Sequence, residues 1–405
     1  MNVLLVLPRV SVKFPSRTGV GTYVSGLSDM FRDMGVSVDV ISENTPIKNR
    51  QFHKYISPIH FETEIVDNLR DQITDALFKK VYNLIECSTF EAILACVSLG
   101  IHRLLPVYYR THNTSFVFGN LFDFKSNLLR GILHQEPLYL MASSDYTADL
   151  LRKDFNNRIN VTGIPIPHLN EYSKSFVKTK QEGILCVSRF SDEKNVEDFA
   201  SLIKTTKLPA KVLTSSPTAA RRWTHLLKST GVDFSVKYNL SGKEKFDFIS
   251  SSKLTVSVSN VETLGLSIVE SAPFCKVLIQ KPPYPWFKNF EGLSLSRRLS
   301  VVDQDELADF ALEEYSKQYR ANAPELVKDY SEYVVNSWIS LLTDNEKFPN
   351  SGKVGGSELS NILNSNSLLD WAEYAKDQHF RKLKQIYTYQ NNHGLKTKGT
   401  LVRAK

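Results

Sequence analysis

Short apolar, β-branched runs alternate along this chain with stretches whose apolar residues fall three and four apart, and few folds accept that alternation. In the first half the runs are Val3 to Leu7, Val36 to Ile41, Leu84 to Cys87, Val107 to Tyr109 and Tyr139 to Ser143. Gly183 to Val187, Ala210 to Thr214, Val232 to Val236 and Leu254 to Val258 repeat the pattern in the second. Strands alternating with helical segments predict parallel sheets with crossover helices, an α/β class. Ile164-Pro-Ile-Pro-His-Leu-Asn through Lys180-Gln-Glu is rich in proline and polar residues and reads as a linker. Two units of this α/β kind follow, residues 1–175 and 176–345, with a C-terminal extension over 346–405. A chain of 405 residues, 42% hydrophobic and 23% charged, can core both units without staples. Cys87, Cys96, Cys186 and Cys275 lack paired short spacing, so free core thiols in a reducing compartment are expected. The apolar run at Met1 to Pro8 is too short for a signal peptide and no stretch approaches a membrane span, which predicts a cytoplasmic protein.

Chemistry concentrates in Ser259-Asn-Val-Glu262-Thr-Leu-Gly265-Leu-Ser-Ile-Val-Glu270. The alternating run before it is a strand, and Leu266, Val269 and Ala272 recur at helical spacing, so Gly265 sits where strand gives way to helix. A helix start offers free N–H groups and a positive partial charge to a diphosphate. Glu262 and Glu270 would flank that cradle as acceptors. Taken alone, the pair reads equally as a strand, a tight turn and a solvated helix. Asp303-Gln-Asp305 imitates a metal-binding pair, but Leu307, Phe310 and Ala311 follow at helical spacing and make it an N-cap.

With Gly265-Leu266 between the two carboxylates, the segment resembles the Glu-x7-Glu signature of retaining GT-B glycosyltransferases. The resemblance implies two doubly wound, Rossmann-like domains facing across a cleft, with a nucleotide-sugar held mainly by the second. No cofactor or metal is implied beyond that co-substrate, with UDP-glucose as the default UDP-sugar. Thr263 stands where the family has glycine, Leu264 where it has an aromatic, and Cys275-Lys276-Val277 where it has Gly-x-Pro. Ile184 to Asn195 is similar to the family's Gly-Arg and Glu-Lys-Gly segment, with Ser188 for its glycine. Arg189 and Lys194 would then meet the diphosphate, one as a planar fork and one as a point charge. On its own, Arg189 reads as a surface ion pair with Asp192 or Glu193. Thr18-Gly19-Val-Gly21-Thr22 resembles the first glycine loop, and Tyr23, Val24, Leu27, Met30, Phe31 and Met34 form the helix stripe behind it, ended by Gly35. His112, at a strand end, matches a histidine that touches the donor sugar. The catalytic candidates are thus His112, Arg189, Lys194 and Glu262. Donor-binding candidates are Gly19, Gly21, Arg189, Lys194, Thr263, Leu264, Gly265, Leu266 and Glu270.

The likeness runs out at Trp338, where the last family-like helix is expected to end. Between residues 349 and 405 nine Lys and Arg face four Asp and Glu, so most of the chain's net charge of +7 lies there. An amphipathic helix from Ser367 to about Tyr387 is expected in it. Arg381, Lys382, Lys384, Lys396, Lys398 and Arg403 are candidate polyanion contacts. The layout is also similar to viral DNA glucosyltransferases, which makes hydroxymethylated double-stranded DNA the first acceptor reading, with Arg221-Arg222 and Arg297-Arg298 as further phosphate clamps. A lipid-linked or cell-surface glycan at an anionic membrane surface is the second. The third is a non-catalytic nucleic-acid-binding protein on a degenerate GT-B scaffold.

Overall fold

The computed structural model describes residues 1–7, 19–41, 58–112, 117, 124–155, 159–176, 181–318 and 322–346. Two six-stranded sheets, parallel throughout, form among them. The first holds β1 (Asn2–Val6), β2 (Ser37–Ile41), β3 (Leu84–Cys87), β4 (Val107–Arg110), β5 (Tyr139–Ala142) and β6 (Ile159–Val161) in the order β2-β1-β3-β4-β5-β6. The second holds β7 (Ile184–Val187), β8 (Ala210–Thr214), β9 (Phe234–Tyr238), β10 (Leu254–Ser257), β11 (Lys276–Gln280) and β12 (Leu299–Val302) in the order β12-β11-β10-β7-β8-β9. This is the doubly wound α/β arrangement expected from the sequence, twice over.

Successive side chains of a strand point to opposite faces, and here both faces are covered. Leu4 and Val6 of β1 enter one apolar cluster, Val3 and Leu5 another. β11 divides likewise, Leu278 to one side and Val277 and Ile279 to the other. One cluster is continuous between the units: Val3, Leu27 and Phe31 share it with Leu185, Val269 and Trp286. The two sheets therefore have private cores on their outer faces and a common one between them. All four cysteines are buried and free, and Cys87 Sγ lies 3.6 Å from Cys96 Sγ.

The helix Ala323–Glu346 ties the units together and runs past Trp338, where the sequence reading ended it. Trp338 is fully buried; it donates to Gly163 O at 3.1 Å and meets Phe31 edge-on at 5.0 Å. Tyr330 donates to Ile164 O at 2.8 Å, and Gly163 N donates to Ser337 Oγ at 2.9 Å. A Cβ on Gly163 would fall 2.7 Å from Val334 Cγ2, so only glycine admits the helix this close. The described first part of the proline-rich stretch read as a linker, residues 164–176, accordingly packs against this helix and carries a short helix of its own, Leu169–Ser175. It is pinned because its backbone groups have partners. Asp303 is no N-cap: its carboxylate pairs with Lys281 at 3.0 Å, and the cap residue of helix Leu307–Ser316 is Glu306, without a side-chain cap bond.

Candidate functional site

In the second sheet the strand order reverses between β7 and β10, and open α/β sheets bind ligands beyond the carboxyl ends of strands at such a point. The loops leaving those strands are joined to each other. Asn195 Nδ2 donates to Asn260 Oδ1 at 2.7 Å, Asn260 Nδ2 donates back to Asn195 Oδ1 at 2.9 Å, and Asn260 N donates to Glu193 O at 3.0 Å. That clasp brings together side chains far apart in sequence. Lys194, buried at the end of a 3-10 turn, lies 2.5 Å from Glu262 Oε1. Lys245, on the helix Gly242–Ser250, lies 2.5 Å from Glu270 Oε1.

Both pairs line a cavity of about 500 Å³, closed from the first unit's side by His112 and Ile164. Thr263, Leu264, Gly265 and Leu266 line it too. Gly265 has φ +83°, a left-handed conformation that favours glycine, and a Cβ there would meet Trp286 Cζ3 at 3.0 Å. The helix that follows, Leu266–Ser271, has only six residues and stops before the expected Ala272. It therefore sums few peptide dipoles, and the lysines are the main source of positive charge near this turn. Arg189 stands at the rim, 67% exposed, with Nη2 3.1 Å from Glu193 Oε1. It lines the cavity and also makes the surface pair that its sequence context suggested.

Two buried polar atoms of the lining, His112 Nε2 and Thr214 Oγ1, have no partner among the described residues. Buried polar groups are nearly always satisfied, so orphans facing a cavity mark where a ligand completes the bonding. Burial, aided by the Arg110 charge, pushes the His112 pKa down to about 3, which keeps the imidazole neutral. Its ring stands edge-on to Tyr23 at 5.1 Å. Tyr23 belongs to a fully enclosed network beneath the site. Its hydroxyl donates to Glu86 Oε1 at 2.5 Å, and Arg110 donates to Tyr23 Oη at 3.1 Å, Thr162 O at 2.8 Å and Thr162 Oγ1 at 2.5 Å. Burial raises the Glu86 pKa, with Arg110 acting against the rise. An enclosed ion pair is costly unless every hydrogen bond is made, and here the arginine and both carboxylate oxygens are engaged.

One cavity thus gathers His112, Arg189, Lys194, Glu262, Thr263, Leu264, Gly265, Leu266 and Glu270. Gly19 and Gly21 occupy the first turn of the helix Gly19–Asp33. Arg381, Lys382, Lys384, Lys396, Lys398 and Arg403 lie outside the described residues. Of the basic pairs, Arg221 and Arg297 are exposed, and Arg222 stacks over the Phe190 ring at 4.1 Å. The sequence reading missed Lys245, Thr214, Ser215, Asn239 and Leu240, all on the cavity wall. Four of these lie at or beyond the ends of β8 and β9, where the strand-end rule applied to every strand would have pointed. Lys245 sits amid ordinary helix-surface charges and carries no such signal. Among the described residues no group of three or more His, Cys, Asp or Glu is placed to share a metal ion, and no helix is long and apolar enough to cross a membrane.

No protein-family model and no curated protein sequence matches the chain. Solved structures match its fold. Anabaena Alr3699/HepE in complex with UDP and glucose aligns with a TM-score of 0.56 at 13% identity, over 85% of this chain and 99% of that one. Sucrose-phosphate synthase from Thermosynechococcus elongatus gives 0.54 at 14%, over 95% and 99%. AviGT4, a glycosyltransferase involved in avilamycin A biosynthesis, gives 0.56 at 15%, over 86% and 97%.

Proposed function

We propose that the protein is a glycosyltransferase that moves a sugar from a nucleotide diphosphate to an acceptor hydroxyl, and that the cavity at the β7–β10 reversal holds the donor. The observation that carries this reading is the pair of lysine–carboxylate contacts, Lys194–Glu262 and Lys245–Glu270, facing one cavity with two orphaned polar atoms. Such a wall suits a ligand that is part anion and part polyol. Lysine and arginine meet phosphate oxygens, and carboxylates accept from ribose and sugar hydroxyls. The fold is the one in which HepE holds UDP and glucose, which supports a UDP-sugar as donor. Gly19 and Gly21 would approach its phosphates from the first unit.

In the transfer, the bond from the sugar's anomeric carbon to the diphosphate oxygen breaks as the acceptor oxygen bonds to that carbon, and the acceptor proton passes to the departing phosphate. Lys194 and Arg189 stabilise the charge that grows on the diphosphate, with no reorganisation at the moment of reaction. Neutral His112 offers a hydrogen bond to the sugar through its orphaned nitrogen. Both carboxylates of the cavity are held by lysines rather than free to attack, which favours retention through same-face transfer over a covalent glycosyl-enzyme. As acceptor we take hydroxymethylated duplex DNA first and a lipid-linked glycan second, on the basic C-terminal sequence.

Calorimetry with UDP, and UDP release from UDP-glucose with each acceptor, test the reading. Lys194→Ala is expected to cut turnover roughly 10²- to 10³-fold in a folded protein, as loss of one preorganised charge stabiliser does. Binding of DNA by a wild type that binds no uridine nucleotide would replace the enzyme with a nucleic-acid-binding protein.

A further inference from the structure

The donor turn is held from the opposite unit. Thr263 O accepts from Ser143 Oγ at 3.2 Å, Thr147 Oγ1 at 3.1 Å and Asn289 Nδ2 at 3.1 Å. Ser143 and Thr147 belong to the first unit, and Thr147 lies 116 residues from the carbonyl it serves. Asn289 sits on the 3-10 segment Trp286–Phe290, and its Oδ1 accepts from Ser144 Oγ and lies 3.1 Å from Thr147 Oγ1. Carbonyl oxygens cannot donate, so the amide orientation is fixed: nitrogen toward Thr263 O, oxygen toward the hydroxyls. One proton per hydroxyl satisfies the group, with Ser144 serving Asn289 and with Ser143 and Thr147 serving Thr263. Ser143, Ser144, Thr147 and Asn289 are all at least nine-tenths buried. The same 3-10 segment braces the loop from beneath, where Trp286 Nε1 donates to Ser259 O at 2.9 Å.

We infer that Asn289 and Thr147 are positioning residues that set the donor turn through Thr263 O and couple donor binding to the apposition of the two units. The peptide between Thr263 and Leu264 is trans, so turning its oxygen toward the first unit turns the Leu264 N–H the opposite way. Thr263 and Leu264 line the donor cavity, and the latch thereby decides how this backbone meets a ligand. Without the first unit's hydroxyls, Asn289 loses the partners that orient its amide and the turn loses two of the donors that fix it. The inference rests on the donor reading of the cavity.

Thr147→Val keeps the buried shape and removes the hydroxyl, Thr147→Ser keeps the hydroxyl, and Asn289→Asp keeps the acceptor but, when ionised, cannot donate to Thr263 O. UDP and UDP-glucose affinities by calorimetry, beside thermal midpoints, test them. Thr147→Val and Asn289→Asp are each expected to weaken UDP-glucose binding roughly tenfold. The double variant should fall little further, since both break one latch. Thr147→Ser should bind several-fold more tightly than Thr147→Val, whatever their midpoints. Unchanged donor affinity in Thr147→Val while wild type binds would overturn the latch and leave the donor site standing, as would losses that simply multiply in the double variant. A wild type that binds neither nucleotide would remove the donor reading itself, and the inference with it.

Discussion

At the scale of single residues the site depends on charges that the fold keeps out of water. His112 shows what this does to stability. Its pKa of about 3 in the folded state lies below the ordinary 6.5, so the unfolded chain binds the proton more readily. The stability it contributes is complete above pH 6.5 and is lost as pH falls toward 3. Between pH 7.5 and 5 that loss is about 2 kcal/mol. His112→Gln removes the titration, so wild type should lose about 2 kcal/mol more than the variant across that interval, measured by urea unfolding at each pH. Equal losses would mean that the imidazole charges as freely in the folded protein as in the unfolded one. The strand-end position of His112 was legible from residues 107 to 115. The reason for its neutrality was not, because burial by the tertiary fold lowers its pKa first and the Arg110 charge second, and Arg110 is held in place by Tyr23 and Thr162.

Whole elements were read well where their signal is local. The runs at Leu84–Cys87 and Ala210–Thr214 form strands with the expected ends, and the stripe from Tyr23 to Phe31 is a buried helix face. β9 begins at Phe234 rather than Val232, since pairing with β8 sets its register. The helix Ala323–Glu346 was cut short at Trp338, and the linker that receives it, which does join β6 to β7, gave no sign of being packed, for one reason: each makes sense only through the other. Trp338 and Gly163 are 175 positions apart. Trp338→Ala would leave a cavity between Phe31 and Arg110, whose guanidinium lies 5.3 Å from the Trp338 ring. A cost of about 3–5 kcal/mol is expected from denaturant unfolding. A cost below about 1 kcal/mol would show that the helix is not a structural tie between the units.

The molecule as a whole was legible as two doubly wound units because parallel β/α alternation is written residue by residue, and the reversal of strand order then places the cavity. What unites the units was not legible. The shared apolar cluster and the Thr263–Asn289–Thr147 latch join positions more than a hundred residues apart, which no local periodicity records. Charge is the exception, since it can be located without a fold: most of the surplus lies in residues 349–405. If that segment tracks a phosphate backbone, DNA affinity must fall steeply with salt, because each neutralised phosphate releases counterions. Replacing Arg381, Lys382, Lys384, Lys396, Lys398 and Arg403 by glutamine in the full chain should reduce the magnitude of the slope of log affinity against log salt by up to about 5, close to 0.9 for each phosphate no longer neutralised. UDP affinity should stay as in wild type, since the cavity proposed for the donor is lined by residues between 112 and 270. Titrations of hydroxymethylated and plain duplex at several salt concentrations, with anionic vesicles alongside, separate the outcomes. Equal salt slopes for the two proteins would take the segment out of DNA recognition, and tighter binding to vesicles than to either duplex would move the acceptor to a lipid-linked glycan.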